Sequence, residues 1–526
     1  MGNATLLVPV GGPAPAAPTP DAFPSRDQRE RCAPVGPTPD VPPDVPPNAA
    51  ALGAKARSGV LWVTGLNVFR DVLQFATMLV LVRLLAPKAY GEFSLITSVM
   101  VFFTVFSFRS FLEHTLQLRP GETVDYQSHF TAGCAMQLGM CAVVNLAAWG
   151  LRYFPKYAEI APVLHVTSIF FVLDWASELR VKMLERALDW KRLRTLQAAG
   201  IAGTSLVAVA MAKLGCGVYA LVLPGMVATL PFIWDLFVRF RWRPDWTWNR
   251  VHYRAAWSYG WTRNMDGMLT TARPVIEGAV IVQLSGFAQL GFMSRAVGLS
   301  VICCQKLPSV LTMTLYPVLT RMARRSEAFE RANSLVLRLV GWMAIPCAIL
   351  FSLVAHPLVR LVYGSRWDSA IPLLPYALAG GTAAALYQAA TMLMLADVQH
   401  RGCAVAEFLT LASLAVCLFA VLPHGIASYL GAVAAVQVSV LLWMLWSLRR
   451  TGALSNRAIV RGVAAPVAAG IAGWLVCALA PPAVTVLSIA RVSLMFGAAY
   501  ALALRVTCPN EMRELISYIP FPGRSR

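Results

Sequence analysis

The amino-acid sequence predicts an all-α polytopic membrane protein with about fourteen transmembrane helices. Hydrophobic residues make up 57% of the 526 residues and charged residues only 13%, a balance that is not typical of soluble domains. Apolar stretches of about 20 residues, the length that spans the hydrocarbon core of a bilayer, recur from Ser58 to about Arg505. The basic residues between these stretches are concentrated in alternate loops.

The first 57 residues are predicted to form a disordered, proline-rich cytoplasmic tail. Residues 1–50 contain 13 of the 34 prolines, and they lack the basic segment followed by an apolar one that marks a signal peptide. Such a composition cannot bury enough apolar surface to fold. Residues 1–57 hold five basic and five acidic side chains, so the net charge of +19 belongs to the rest of the chain.

The apolar stretches define the predicted helices. They are 58–85, 92–113, 130–150, 160–179, 196–214, 216–238, 258–284, 292–318, 333–354, 373–396, 403–422, 425–447, 458–480 and 485–506. We group them as an N-terminal lobe of six helices (58–240), a C-terminal lobe of six (255–447) and two additional helices (458–506). Residues 507–526 would form a C-terminal tail.

A weak internal repeat supports the grouping into two lobes. A shift of the chain by 200 residues places Ser58 on Ser258, Leu84 on Leu284 and Gly91 on Gly291. In both copies a long helix is followed by a short turn and a second helix. This pattern is typical of transporters built from two pseudo-symmetric halves with a binding site between them.

The loop charges predict the orientation. One set of alternate loops carries 21 basic residues, among them six between Arg180 and Arg194, whereas the other set carries seven. Because basic loops stay in the cytoplasm, the first set and both termini are predicted to be cytoplasmic.

Polar residues within the predicted helices indicate where a substrate binds. The polar positions in the first helix are Asn67, Arg70, Asp71 and Gln74; in the seventh, Arg263, Asp266, Thr270, Arg273 and Glu277; in the eighth, Arg295 and Lys306. Their spacing places each set on one helix face, and charges inside a membrane usually face a wet cavity or a partner.

We therefore predict a net cationic cavity between the lobes. Its substrate-binding residues would be Arg70, Arg273, Arg295 and Lys306, and the candidates for coupling transport to an ion are Asp71, Asp266 and Glu277. An alternative is that Arg70 with Asp71, and Arg273 with Glu277, are neutralised pairs that only hold helices together. His165 and Gln388 are isolated polar residues for which a structural role is the simpler expectation.

Other classes of function lack a signal in the sequence. The 11 cysteines form no CxxC pair, and no metal site, cofactor motif or catalytic motif is recognisable, so we do not expect an enzyme. The basic residues are scattered over short loops instead of lying along one face, so nucleic acid is not an expected partner. Membrane lipids and an anionic cargo are the expected ones.

Four stretches resemble Wzx-type polysaccharide flippases of the multidrug/oligosaccharidyl-lipid/polysaccharide exporter superfamily. They are SGVLWVTGLNVFRDVLQFATMLVLVRLLAPKAYGEFSLI (Ser58 to Ile96), LGFMSRAVGL (Leu290 to Leu299), LYPVLTRM (Leu315 to Met322) and LVRLVYGSRWDSAIPLL (Leu358 to Leu374). The resemblance extends over roughly residues 55–450, and more loosely over the last two helices.

The resemblance implies a function in the bacterial inner membrane. Members of this family flip undecaprenyl-pyrophosphate-linked oligosaccharide repeat units to the outer leaflet by alternating access between two six-helix lobes, for the assembly of O-antigen, capsule or exopolysaccharide. Partners would be the lipid-linked oligosaccharide, and a polysaccharide polymerase and export machinery. The alternatives are a multidrug antiporter of the same superfamily, an envelope polymerase or ligase, and a scaffold in an assembly complex.

Overall fold

A computed structural model of the protein describes residues 49–106, 112, 124–247, 268, 271–324, 326–479 and 484–518. Within these ranges the regular secondary structure is entirely helical. Eleven helices of the described residues are long and apolar enough to cross a membrane. The predicted all-α class is confirmed, and the chain is a multi-pass helical membrane protein. Residues 1–48 of the predicted tail lie outside the described residues.

The helices of ten or more residues, with adjoining segments counted as one helix, are numbered in chain order. In the first half they are α1 (Ala49–Leu84), α2 (Pro87–Thr104), α3 (Tyr126–Leu151), α4 (Ala158–Arg186), α5 (Trp190–Lys213) and α6 (Tyr219–Arg239). In the second half they are α7 (271–285), α8 (Phe287–Leu319), α9 (Glu327–Leu353), α10 (Ser365–Ala396), α11 (His400–Ala420) and α12 (Ile426–Arg450). The last three are α13 (Asn456–Ala478), α14 (Val486–Thr507) and α15 (Pro509–Tyr518).

Several helices begin before their apolar stretch does, because polar residues cap them. The Asp125 carboxylate accepts a hydrogen bond from the Ser128 amide at 3.0 Å, and Asp189 accepts one from Arg192 at 3.2 Å. These bonds satisfy amide groups that have no partner in the first turn of a helix. Helices α3 and α5 therefore start four and six residues earlier than hydropathy predicts.

Helices extend into both predicted tails. Helix α1 begins at Ala49, inside the segment 1–57 that was predicted to be disordered. Alanine is the strongest helix former, and the first residues of α1 are alanine-rich. At the other end, α15 occupies much of the predicted tail 507–526.

Among the described residues, three π-helical turns interrupt the longer helices. They are Asp235–Arg239 in α6, Val301–Gln305 in α8 and Val460–Ala464 in α13. Such a π-bulge inserts one residue into an α-helix and is frequent at functional sites. Because each residue turns an α-helix by about 100°, the side chains beyond a bulge face a different direction from the one that regular periodicity predicts.

Helices α2 and α8 cross in close contact at Gly91 and Gly291, which we call the glycine crossing. A Cβ atom on Gly91 would lie 1.8 Å from the Phe287 carbonyl oxygen, and one on Gly291 would lie 2.0 Å from the Pro87 carbonyl oxygen. The contact is reciprocal, since Gly91 and Gly291, like Pro87 and Phe287, are related by the 200-residue shift. The glycines allow the two backbones to touch, as in other membrane helix pairs.

An aromatic cluster adjoins the glycine crossing and ties the two halves of the chain together. The fully buried Trp367 stacks edge to face with Tyr90 at 5.3 Å between ring centroids and with Tyr363 at 5.8 Å. Its indole N–H donates to the Val82 carbonyl oxygen at 3.1 Å. Pairs of this geometry stabilise a fold beyond the burial of their area.

The C-terminal helices are fastened to α9. The Trp342 indole donates to the Arg461 carbonyl oxygen at 2.9 Å, and the Tyr500 hydroxyl donates to the Trp342 carbonyl oxygen at 3.3 Å. The Arg461 side chain, which lies in the π-bulge of α13, forms an ion pair with the buried Glu511 of α15. Thus α13, α14 and α15 are held to the second half of the chain by specific contacts.

Candidate functional site

One carboxylate lies between two cations at the contact of α1 with α8. Asp71 is 2.9 Å from the Lys306 ammonium and 3.3 Å from the Arg70 guanidinium. The side chains of Arg70, Asp71 and Lys306 are 42%, 36% and 51% exposed. We call these three residues the charged cluster. It carries one net positive charge and is accessible from outside the protein.

The π-bulge of α8 determines the direction of Lys306. Lys306 is the first residue after Val301–Gln305. Regular periodicity placed Arg295 and Lys306 on nearly the same helix face, because eleven residues make about three turns. That interpretation was wrong, since the extra residue of the bulge rotates Lys306 by about 100° relative to Arg295. The rotation brings the ammonium group to Asp71.

Arg295 lies in a different environment, close to the glycine crossing. Its guanidinium is 4.6 Å above the centre of the Tyr90 ring, a cation–π contact. Among the described residues, the buried Nε atom has no hydrogen-bond partner. Arg295 is therefore not part of the charged cluster, and its role in a cationic cavity with Arg70, Arg273 and Lys306 stays a prediction.

A second set of contacts surrounds Glu277 of α7. Its carboxylate is 3.9 Å from the Arg273 guanidinium, one helical turn away, and accepts a hydrogen bond of 2.9 Å from the Tyr429 hydroxyl of α12. We call Arg273, Glu277 and Tyr429 the Glu277 cluster. The arginine–glutamate pair that the sequence suggested is present, and α12 contributes a buried hydroxyl that the sequence did not indicate. Asp266, the other predicted carboxylate of this helix, lies outside the described residues.

Two further acidic residues within the helices were not identified from the sequence. Glu407 of α11 accepts a hydrogen bond from the Tyr387 hydroxyl of α10 at 3.0 Å. Asp235, at the π-bulge of α6, is fully buried and accepts hydrogen bonds from Arg180 and Arg192, both at 2.7 Å. Each of these two acids lies within an apolar stretch or at its end. An acidic residue in such a position could have been recognised in the sequence as a candidate site residue.

Two features of the structure define the class of protein. The described helices form a multi-pass membrane domain, and half-exposed charges face one another between helices from the two halves of the chain. Such charges inside a membrane domain are typical of proteins that move a polar solute or ion across the bilayer. No group of three His, Cys, Asp or Glu side chains suited to a metal ion occurs among the described residues.

The chain belongs to the family of polysaccharide biosynthesis proteins, whose model matches residues 80–372, more than half of the sequence. It is similar to the succinoglycan biosynthesis transport protein ExoT of Rhizobium meliloti (strain 1021), with 22% identity over 57% of this chain and 61% of the relative. It is also similar to the lipopolysaccharide biosynthesis protein WzxC of Escherichia coli (strain K12), with 18% identity over 62% of this chain and 66% of the relative. The chain thus spans less than two thirds of either relative.

The fold resembles solved structures of transporters. It matches the lipid II flippase MurJ in an inward closed conformation with a TM-score of 0.66 and 11% identity, over 87% of this chain and all of that one. It matches a multidrug resistance MATE family transporter in an inward-facing conformation with a TM-score of 0.54 and 12% identity, over 73% of this chain and 95% of that one. The predicted membership of the Wzx-type branch of the exporter superfamily is confirmed.

Proposed function

We propose that the protein flips undecaprenyl-pyrophosphate-linked oligosaccharide repeat units from the cytoplasmic to the outer leaflet of the bacterial inner membrane, for surface polysaccharide assembly. The observation that carries the proposal is the charged cluster, where Lys306 and Arg70 hold one carboxylate in a half-exposed position within the membrane domain. The names of the relatives, which refer to succinoglycan transport and lipopolysaccharide biosynthesis, support this class of cargo.

The proposed chemistry is an exchange of anions. A pyrophosphate cannot cross hydrocarbon without partners, because the loss of its hydration is too costly. Lys306 and Arg70 already bind an oxyanion in the form of Asp71. A pyrophosphate that enters between α1 and α8 replaces Asp71 at these cations, and Arg supplies the bidentate geometry that suits phosphate oxygens. When the cargo leaves, Asp71 returns.

Alternating access supplies the movement. In this proposal fourteen helices form two six-helix lobes and two additional helices, and the lobes separate at one end while they close at the other. The glycine crossing holds α2 against α8, and the positive-inside rule assigns it to the outer side of the membrane. The proposed state is therefore closed to the outside. A polymerase and an export machinery would receive the flipped repeat units.

The charges of the two clusters favour an anionic cargo over the alternative functions. The charged cluster and the Glu277 cluster together contain Arg70, Arg273 and Lys306 against Asp71 and Glu277, which gives one net positive charge. A multidrug antiporter for cationic drugs needs the opposite sign. An envelope polymerase or ligase needs catalytic residues in a large outer loop, and the sequence offers none.

The decisive experiment deletes the gene in the native host and restores it with variants. Lys306→Ala and Arg273→Ala should lower the export of surface polysaccharide at least tenfold, with lipid-linked intermediates accumulating and the protein level unchanged. Arg273→Lys should restore part of the export, because Lys lacks the planar fork. The matched control is Arg331→Ala, since Arg331 forms an exposed ion pair with Glu327. Normal export by both alanine variants would contradict the proposal.

The orientation has its own test. Reporter fusions after residues 190, 326 and 453 should be active in the cytoplasm, and fusions after 155 and 365 on the far side, because six basic residues lie between Arg180 and Arg194. A reporter that is active outside the cell after residue 190 would refute the assignment of the glycine crossing to the outer side.

A further inference from the structure

A hydrogen-bonded network joins α3 to α4 in the first half of the chain. The Asn145 side-chain amide nitrogen donates to the Ser168 hydroxyl oxygen and to the Cys141 carbonyl oxygen, both at 2.7 Å. The Asn145 side-chain oxygen lies 2.7 Å from Nδ1 of His165, and the Ser168 hydroxyl donates to the His165 carbonyl oxygen at 2.7 Å. His165 is therefore part of an ordered polar group inside the membrane domain.

The network fixes the tautomer of His165. Because the amide nitrogen of Asn145 makes two donations to oxygen atoms, its side-chain oxygen must face the imidazole as an acceptor. Nδ1 therefore carries the hydrogen in the neutral ring, and Nε2 carries the lone pair. Nε2 is buried and has no hydrogen-bond partner among the described residues. Nε2 of the ring can therefore accept a proton, while Nδ1 is held by its hydrogen bond to Asn145.

The surroundings contain little charge. The segment Ala161–Thr167, which holds His165, packs against α3, the preceding turn Ala158–Ile160 and the rest of α4. The sequence of α3 has no Asp, Glu, Lys or Arg. Cys141 is the ionisable group of α3 in the network, with its thiol 3.3 Å from the Ser168 hydroxyl, and Glu159 of the turn pairs with Lys88.

The network also includes Ser168, which lies where two helical segments of α4 join. These segments are Ala161–Thr167 and Ile169–Arg186. The backbone stays helical at Ser168, whose amide donates to the Leu164 carbonyl oxygen at 2.9 Å, while its side chain bonds to Asn145; side chains that insert into the hydrogen bonding of a helix are one cause of helix bending. We therefore expect a change in the protonation of His165 to alter the direction of α4.

We propose that His165 is a proton-binding site that biases the conformation of the first half of the chain. A hydronium ion of the aqueous phase gives its proton to the lone pair of Nε2 and is left as water, which yields an imidazolium in which both nitrogens donate. The Nδ1 bond to Asn145 persists, but Nε2–H is then a buried donor without an acceptor, which costs free energy. The charged form therefore favours an arrangement of α3 and α4 in which Nε2 reaches water. This inference rests on the proposed function, to which it adds a residue whose protonation changes the arrangement of α3 and α4.

The first experiment needs no cargo. Full-length protein with ¹⁵N-labelled histidine is placed in lipid bilayers, and nitrogen NMR spectra are recorded at about pH 8 and about pH 5, the range in which histidine exchanges protons. Of the seven histidines, His165 is identified by the signals that His165→Gln removes. We expect a hydrogen on Nδ1 alone at the higher pH and on both nitrogens at the lower pH. A hydrogen on Nε2 alone, or a ring that stays neutral, would overturn the proposal.

A second variant tests the proposal even if His165→Gln does not fold. Asn145→Asp keeps the imidazole and places a carboxylate beside Nδ1, so the doubly protonated signal should persist at the higher pH. This change assigns the same resonance if His165→Gln does not accumulate. An Asn145→Asp spectrum identical to that of the wild type at both pH values would also overturn the proposal.

Transport provides the final readout. In proteoliposomes, an imposed pH gradient should change the rate at which wild-type protein flips the lipid-linked oligosaccharide, and His165→Gln should remove that dependence. The control is His424→Gln, which changes an exposed histidine in the turn after α11. If no lipid is flipped while the NMR titration is present, the proposed function fails and the proton site stands. If lipid is flipped with equal gradient dependence in both forms, the proton site fails.

Discussion

Along α8, Gly291 packs its backbone against Pro87, whereas Lys306, about 22 Å further along the helix, reaches Asp71 through a half-exposed side chain. The first contact, the glycine crossing, is dry and adjoins a buried aromatic cluster. The second, the charged cluster, is half-exposed and joins long side chains. Close packing is sensitive to the volume of one methyl group, but an exposed ion pair adds little stability. The two contacts should therefore differ in what breaks them.

The largest effect on stability is expected at the glycine crossing. Gly91→Ala should destabilise the folded protein by about 3 kcal/mol, because the new Cβ atom would overlap the Phe287 carbonyl oxygen and force α2 away from α8. Thermal unfolding of the purified protein in detergent measures the change. The control is Gly139→Ala in α3, where a Cβ atom meets nothing within 4 Å. That change should stabilise the protein by up to about 1 kcal/mol, and equal effects at both glycines would contradict the close contact.

A smaller loss of stability is expected from a substitution in the aromatic cluster. Trp367→Phe keeps the ring contacts but removes the donor to the buried Val82 carbonyl oxygen, which should cost about 1–3 kcal/mol. The same unfolding measurement applies. Trp474→Phe changes a tryptophan that is 45% exposed and should leave the midpoint nearly unchanged. A harmless Trp367→Phe would show that the hydrogen bond does not hold the two halves together.

The smallest effect on stability is expected at the charged cluster. In a double-mutant cycle with Asp71→Asn and Lys306→Gln, the coupling energy should be below about 1 kcal/mol, because both side chains are more than a third exposed. Added salt should reduce it further. The same variants should nevertheless lower polysaccharide export strongly. A coupling of several kcal/mol would indicate that the ion pair is a structural lock and not a site that opens for cargo.

The periodicity of hydropathy predicted most of the helices, because bilayer thickness imposes one length on every span. It placed α3 to α6 and α8 to α14 within eight residues of their observed limits, with the largest differences at the end of α4 and the start of α10. The errors lie at the ends, where capping by Asp125 and Asp189 extends the helices into polar sequence. The sequence also paired Gly91 with Gly291, although it could not reveal that the two glycines touch.

The candidate site was predicted less completely. The local pairs Arg70–Asp71 and Arg273–Glu277 follow from spacing, and both are present. The approach of Lys306 to Asp71, and of Tyr429 to Glu277, joins residues more than 150 positions apart, so it depends on tertiary packing. The π-bulge at Val301–Gln305 has no simple signature in the sequence, which is why Arg295 and Lys306 were assigned to one face.

The ion pair between Arg461 and Glu511 has a consequence for how the protein is made. The ribosome completes the chain from the N-terminus, so Arg461 enters the membrane domain while its carboxylate partner, fifty positions later, has yet to be synthesised. Until Glu511 is made, Arg461 in the π-bulge of α13 lacks its carboxylate partner. The attachment of α13 and α14 to α9 does not wait for Glu511, because it uses the carbonyl oxygens of Arg461 and Trp342; the docking of α15 onto α13 comes later, as a separate step.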